Sequence, residues 1–256
     1  MQYFHEARVV VTGGGHGLGP AMVEALLARG ARVAIMTRDA AQLATIARLG
    51  AIARWGDATD AASIETVLAE FRPSVLILTA EATPSIAPID EPPWDRFSHV
   101  WNMDAQAGLC GIQAALRAPL ARGSRVLIVS NGPAGGGPPS GRFAGVKRML
   151  WFMAHYANDA AHARGLGIHF QVLVPLQMMA DTPLALVASA YARRDGISVE
   201  AFLARTYAAP LTLQQYGEYV ARLLGDPRYA SGVAYGVKAD TGITALDRRV
   251  MDPWRP

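Results

Sequence analysis

Residues 8–38 read as one unbroken strand–turn–helix–strand unit. Arg8-Val9-Val10-Val11 is a short β-branched run without polar alternation, as expected of a parallel strand buried on both faces. Thr12-Gly13-Gly14-Gly15-His16-Gly17-Leu18-Gly19 follows directly. From Pro20 to Arg29 the chain is amphipathic, with Met22, Val23, Leu26 and Leu27 on one face. Gly30 ends that segment, and Ala31 to Met36 form the next strand. A glycine-rich string alone is often a plain connector. Placed between a strand and a helix, with a second strand at the right distance, it predicts a turn that cradles a dinucleotide diphosphate. Glycines let the backbone come close, and free N–H groups at the positive end of a helix attract the charge.

The 256-residue length suits one large α/β domain over residues 1–256, and no Ser/Gly/Pro-rich linker divides it. The one cysteine, Cys110, excludes an internal disulfide framework and points to a reducing, cytoplasmic setting. Its place in a helix argues for a buried, inert thiol. No apolar run reaches membrane-spanning length, and no signal-like segment opens the chain. The net charge of +3 is spread along the chain without a Lys/Arg stripe, which argues against nucleic acid as a partner. No metal site is read from the sequence.

Strand and helix patterns alternate to the end of the chain. Ala40 to Leu49 reads as a helix, Ile52 to Trp55 as a strand, and Ala61 to Phe71 as a helix capped by Asp60. Ser74 to Leu78 is the fourth strand. Pro93-Trp94-Asp95 opens a helix with Trp94, Phe97, Val100 and Trp101 as core contacts. Asn102 marks a junction, and a second helix runs from Met103 to Leu116. Ser124 to Ser130 is the fifth strand; the Gly/Pro-rich stretch Asn131 to Arg142 is loop; a helix then runs to Ala161. Ile168 to Val174 and Val233 to Val237 are further strands, with a helix over Leu213 to Leu224.

Thr12-Gly13-x-x-x-Gly17-x-Gly19 resembles the cofactor fingerprint of the short-chain dehydrogenase/reductase family, and the similarity runs over nearly the whole chain. The resemblance implies a Rossmann-type, doubly wound parallel sheet of about seven strands flanked by helices. It implies a nicotinamide cofactor held by Gly13, Gly15, His16, Gly17, Leu18, Gly19, Thr37, Arg38, Asp57, Ala58, Thr79, Ala80, Glu81, Lys147, Pro175 and Met178. After the second strand an acidic residue would accept from a ribose 2′-hydroxyl. Thr37 is neutral there and Arg38 cationic, so the pattern favours NADP(H), with Arg38 and His16 on the 2′-phosphate. By the same resemblance Asp57 accepts from the adenine amino group, and the carbonyl of Asn102 holds a water that connects Lys147 to solvent. The long helices over 103–118 and 144–161 would join a homodimer or homotetramer. A lid around 180–207, with Leu186, Val187, Tyr191, Phe202 and Leu203, would cover a small, apolar substrate.

Three departures stand out. Relatives carry Asn-Asn-Ala-Gly after the fourth strand, where this chain has Leu78-Thr79-Ala80-Glu81. Glu81 either faces solvent or adds a charge beside the nicotinamide. Relatives have Pro-Gly and a nearby threonine after the sixth strand; here Leu176 follows Pro175, and Thr182 comes late. Relatives also have Tyr-x-x-x-Lys with a serine thirteen residues earlier. Ser130 and Lys147 keep that register, but Phe143 stands in place of the tyrosine.

The third departure bears on the chemistry. Hydride transfer to a carbonyl builds negative charge on oxygen, which needs a proton and hydrogen bonds. The tyrosine supplies both in relatives, its pKa brought down from about 10 by the lysine and the cationic nicotinamide. Its loss costs about 10²–10⁴-fold unless another group substitutes. Ser130, Lys147, Tyr191 and Glu81 are the substitutes in the sequence. The leading reading is an NADP(H)-dependent oxidoreductase acting on a carbonyl/alcohol pair through a non-standard site of Ser130, Lys147, Asn102 and Phe143. The alternatives are an NADP(H)-binding protein without redox turnover, and a lyase, isomerase or cyclase using the same pocket.

Overall fold

The computed structural model describes residues 4–80, 82–83, 86–130, 141–179, 182, 184–207 and 209–246, with the side chains of residues 141 and 142 left out. Strands β1 (Arg8–Thr12), β2 (Arg32–Thr37), β3 (Ile52–Trp55), β4 (Val75–Leu78), β5 (Arg125–Val129), β6 (His169–Pro175), β7 (Ala234–Lys238) and β8 (Gly242–Ala245) form one sheet in the order β3-β2-β1-β4-β5-β6-β7-β8. All neighbours pair in parallel except β7 and β8. The expectation of about seven strands is therefore corrected to eight among the described residues. The extra strand is a four-residue antiparallel return after a tight turn at Gly242, whose φ is +69°. Four residues are too few to show alternation in sequence.

The helices are α1 (Gly19–Leu27), α2 (Leu43–Arg48), α3 (Ala61–Phe71), α4 (Trp94–Arg117), α5 (Gly141–Ala163), α6 (Leu184–Arg194), α7 (Val199–Thr206) and α8 (Leu213–Gly225). Side-chain alternation along the strands divides the core in two. Val10, Leu76, Val126, Ile128, Phe170 and Val172 face α3, α4 and α5. Val9, Val11, Val75, Ile77, Leu127 and Leu173 face α1 and α8. Both layers are dry, which is why these strands read as continuous apolar runs.

Close backbone approach at glycines sets the helix positions. A Cβ on Gly217 of α8 would sit 2.2 Å from the carbonyl oxygen of Ala21 on α1. One on Gly108 of α4 would sit 2.3 Å from Leu150 Cδ2 on α5. Asp60 accepts from the N–H groups of Ala62 and Ser63 and caps α3.

Helix α4 differs from expectation. It is one helix of 24 residues, with no junction at Asn102. A lone asparagine costs a helix interior about 0.7 kcal/mol against alanine, far less than the burial of the stripe on either side. Its inward face carries Val100, Asp104, Ala107 and Gly111. Trp94 is 75% exposed and stacks on Phe97, and Trp101 is also exposed, so neither tryptophan is a core contact.

A buried cation lies at the opposite end of the sheet. Arg125 donates to the carbonyls of Leu224 (2.6 Å) and Tyr229 (3.2 Å) and to the Gln171 side chain. The Leu224 carbonyl belongs to the last turn of α8, where a cation is favoured.

Candidate cofactor cleft and catalytic pocket

The strand order reverses between β1 and β4, and the chain leaves a crevice beyond their carboxyl ends. The Thr79 N–H donates to both the carbonyl and the hydroxyl of Thr12, each at 3.3 Å, and ties the two strand ends together. Gly13 turns with φ +72°, and a Cβ there would lie 2.6 Å from Ala80 Cα. A Cβ on Gly19 would lie 2.3 Å from the Gly14 carbonyl oxygen. These two contacts hold the turn Gly13 to Gly19 flat across the strand ends. Helix α1 begins at Gly19 behind Leu18, which has no polar side chain to cap it; the Gly19 N–H donates to the His16 carbonyl at 3.0 Å and Pro20 has no N–H to satisfy.

A cavity of about 190 Å³ opens beside this turn. It brings together Gly13, His16, Thr37, Arg38, Asp57, Ala58 and Ala80 from the expected set. Gln42, Thr59, Met103 and Ala107 also line it and were not foreseen. Thr59 and Gln42 carry no motif; they arrive because the segments after β2 and β3 turn toward each other. Thr37 is buried, accepts from the Asp39 N–H at 3.0 Å and donates to Gln42 at 3.2 Å. Gly15 lies against the same Gln42 side chain.

Arg38 Nη1 lies 2.7 Å from Asp57 Oδ2, with about half of the arginine side chain in solvent. Burial pushes the Asp57 carboxyl up. Hydrogen bonds from the Thr59 N–H and hydroxyl, together with Arg38, outweigh this and hold it below its ordinary value. Asp57 is thus a preformed anion bracing a cation at the cavity mouth. Cys110 lies beneath, donating to the Thr59 carbonyl at 3.2 Å, and burial pushes its thiol up, as for an inert cysteine.

The second half of the site lies between α4 and α5. Ser130 ends β5 and donates its hydroxyl to the Lys147 carbonyl at 3.1 Å. Phe143 and Lys147, one turn apart on α5, face the same way, with Lys147 Nζ 5.3 Å from the Phe143 ring centre. Lys147 Nζ also lies 2.9 Å from Asp104 Oδ2, and both side chains are almost fully buried. Asp104 Oδ1 accepts from the Ala82 N–H at 2.7 Å. Asp104 was missed in the sequence. Its signal was there: an acid on the apolar stripe Val100, Asp104, Ala107, Gly111 of an otherwise ordinary helix. Asn102, where the link to Lys147 was expected, has an exposed side chain two residues away from that stripe.

Phe143 packs with Val100, Val146 and Val187, and with the flanks of Met178 and Tyr191. Val187 and Tyr191 belong to α6, so the expected lid rests directly on Phe143. The Tyr191 ring stacks on Phe202 of α7. Pro175 closes β6, and the Met178 N–H donates to the Tyr207 hydroxyl at 3.2 Å. Glu81 and the stretch 131–140 lie outside the described residues. Among the described residues no group of His, Cys, Asp and Glu has the geometry of a metal site.

The profile of the short chain dehydrogenase family matches residues 7–140, more than half of the chain. A similar curated protein is the cis-2,3-dihydrobiphenyl-2,3-diol dehydrogenase of Pseudomonas sp. (strain KKS102), 34% identical over 154 residues, covering 54% of this chain and 55% of that one. The match therefore spans about half of the relative's length. Similar solved structures include an actinorhodin polyketide ketoreductase with NADPH (TM-score 0.76, 20% identity, covering 91% of this chain and 95% of that one). A short chain dehydrogenase from Burkholderia cenocepacia J2315 in complex with NADP has a TM-score of 0.71 at 23% identity, covering 91% and 97%. A blue fluorescent protein from a metagenomic library in complex with NADPH has a TM-score of 0.74 at 24% identity, covering 94% and 99%. With its switch-point crevice, glycine turn and family match, the chain belongs to the short chain dehydrogenase family.

Proposed function

We propose that the protein is an NADP(H)-dependent oxidoreductase that acts on a carbonyl/alcohol pair through an altered proton-delivery site. The observation that carries the reading is Arg38, which lines the cavity together with His16, while the two carboxylates in the same lining are already engaged, Asp57 by Arg38 and Asp39 by the Ala41 N–H. The residues fit the nucleotide: a glycine turn too tight for side chains, the positive end of α1 behind it, and a cation braced over a cavity. The similar structures that hold NADP or NADPH support the same choice.

When bound, the nucleotide supplies or accepts the hydride at the substrate carbon. Arg38 and His16 hold its extra phosphate, and Asp57 keeps the guanidinium oriented. Lys147 holds the ribose and is the buried proton carrier beside Phe143, which fills the tyrosine position. Ser130 turns its hydroxyl from the Lys147 carbonyl to the substrate oxygen. Phe143 supplies an apolar wall, and α6 and α7 close over a small apolar substrate. Exposed Trp101, Leu109, Met149 and Tyr156 on α4 and α5 support a homodimer or homotetramer through those helices. The single thiol fits the cytoplasm.

The burial of Phe143 and the pairing of Lys147 with Asp104 favour a second reading, an NADP(H)-binding protein without redox turnover. The deciding experiment is titration calorimetry with NADPH and NADH on the protein and on Arg38→Ala. Tight NADPH binding that Arg38→Ala weakens supports a cofactor site. Absence of binding by either nucleotide overturns both readings. With binding established, consumption of NADPH across a panel of ketones separates the oxidoreductase from the binder.

A further inference from the structure

We infer that Asp104 is a positioning residue that offsets the charge of Lys147 and thereby shifts the ratio of affinities toward the oxidised nucleotide. The inference rests on the reading of a nicotinamide nucleotide in this cleft. Lys147 is 1% exposed and Asp104 0%, with 2.9 Å between their charged atoms. A charge that dry is costly unless a partner compensates it. Asp104 is fixed from a second side by the Ala82 N–H. It therefore locks α5, α4 and the segment after β4 at one point.

The electrostatic consequence follows from the nucleotide's chemistry. The oxidised nicotinamide ring is a cation and the reduced ring is neutral. An ammonium without its carboxylate would repel the first and leave the second nearly unaffected. With the Asp104–Lys147 pair intact, the pocket presents no net charge at that point. Phosphates, ribose and adenine are the same in both forms, so Arg38, His16 and the glycine turn drop out of the ratio of the two affinities. That ratio isolates what Asp104 does to Lys147.

The test measures Kd for NADP+ and NADPH by calorimetry on the wild type, Asp104→Asn, Lys147→Met and the double variant. Asp104→Asn is expected to weaken NADP+ about tenfold more than NADPH, on the order of one Coulomb contact in a partly hydrated site. Lys147→Met is expected to shift the ratio the other way, and the double variant to return it to within about threefold of wild type. A merely structural role would move both constants together. A ratio unchanged by Asp104→Asn, or a shift that persists in the double variant, overturns the inference. If Asp104→Asn does not fold, the comparison of Lys147→Met with the double variant carries the same test, because the two must differ about tenfold in ratio. Failure of the wild type to bind either nucleotide overturns the cofactor reading and this inference with it. Tight wild-type binding with a flat ratio in every variant overturns this inference alone.

Discussion

The Phe143 ring centre lies 5.3 Å from Lys147 Nζ, so an apolar ring occupies the place where a phenol would meet the buried ammonium. A hydroxyl added there meets a lysine whose charge Asp104 already offsets. Phe143→Tyr alone is expected to raise the single-turnover rate of NADPH oxidation by 9,10-phenanthrenequinone less than about tenfold. Phe143→Tyr combined with Asp104→Asn is expected to gain about 10²-fold or more, because the lysine charge is then available to lower the phenol pKa. An equal gain from Phe143→Tyr alone would show that Asp104 does not restrain Lys147.

Arg38 is half exposed, so its hold on a phosphate should be screened by salt. Raising NaCl from about 0.05 M to about 0.5 M is expected to weaken NADPH several-fold and NADH much less. In Arg38→Ala the two nucleotides should show the same shallow salt slope. The loss of NADPH affinity in that variant should be about 10–100-fold, the size of one or two charge-assisted hydrogen bonds. Calorimetry at several salt concentrations reads both effects.

The crossing of α1 and α8 leaves no room at Gly217, where a Cβ would meet the Ala21 carbonyl oxygen at 2.2 Å. Backbone cannot fold aside as a side chain can. Gly217→Ala is expected to lower stability by about 1–3 kcal/mol despite its better helix propensity. The midpoint of urea unfolding would measure it. A variant as stable as wild type would mean that the two helices slide apart without cost.

Burial pushes the His169 imidazole below its ordinary value. The hydrogen bond to the Gly232 carbonyl opposes this, and the Arg125 charge adds to it. The unfolded chain takes up a proton near pH 6.5, whereas the folded chain refuses it until lower pH. Between those two points the unfolded state binds more protons, so stability falls as pH drops below about 6.5 and levels off under the folded pKa. Urea midpoints from about pH 7 to about pH 5.5 should show this decline in the wild type. His169→Gln, which keeps a donor but does not titrate, should lose that component of the slope.

The first strand–turn–helix–strand unit was legible because each of its signals is local: β-branched runs, a glycine string, a helix stop. The Asp60 cap belongs to the same class, being written within four residues. The cavity set from Gly13 to Ala58 was reached through the family resemblance, which carried each residue over by its place after β1, β2 and β3. Asp104 was not, because its meaning depends on which face of α4 turns inward and on a lysine far along the chain. Reading Asn102 as a junction split one helix in two. Trp94 and Trp101 were assigned to the core on hydrophobicity, yet they share a face beside the stripe that is buried. The eighth strand escaped because so short a segment is defined by its neighbour rather than by its own pattern.

Helix α4 runs about 36 Å without a break. Asp104 sits in its first half, between the exposed Trp101 and the exposed Leu109. The exposed surface and the buried ion pair are thus cut from the same rod, at a fixed angle to each other. Adding or deleting one residue between Trp94 and Trp101 would rotate the carboxylate by roughly 100° away from Lys147, and a deletion would also swing Trp101 toward the interior. Such a change could be absorbed only before the helix begins, in the proline-rich approach to Trp94. Length variation among descendants of this chain should therefore collect in that approach and stay out of the rod itself.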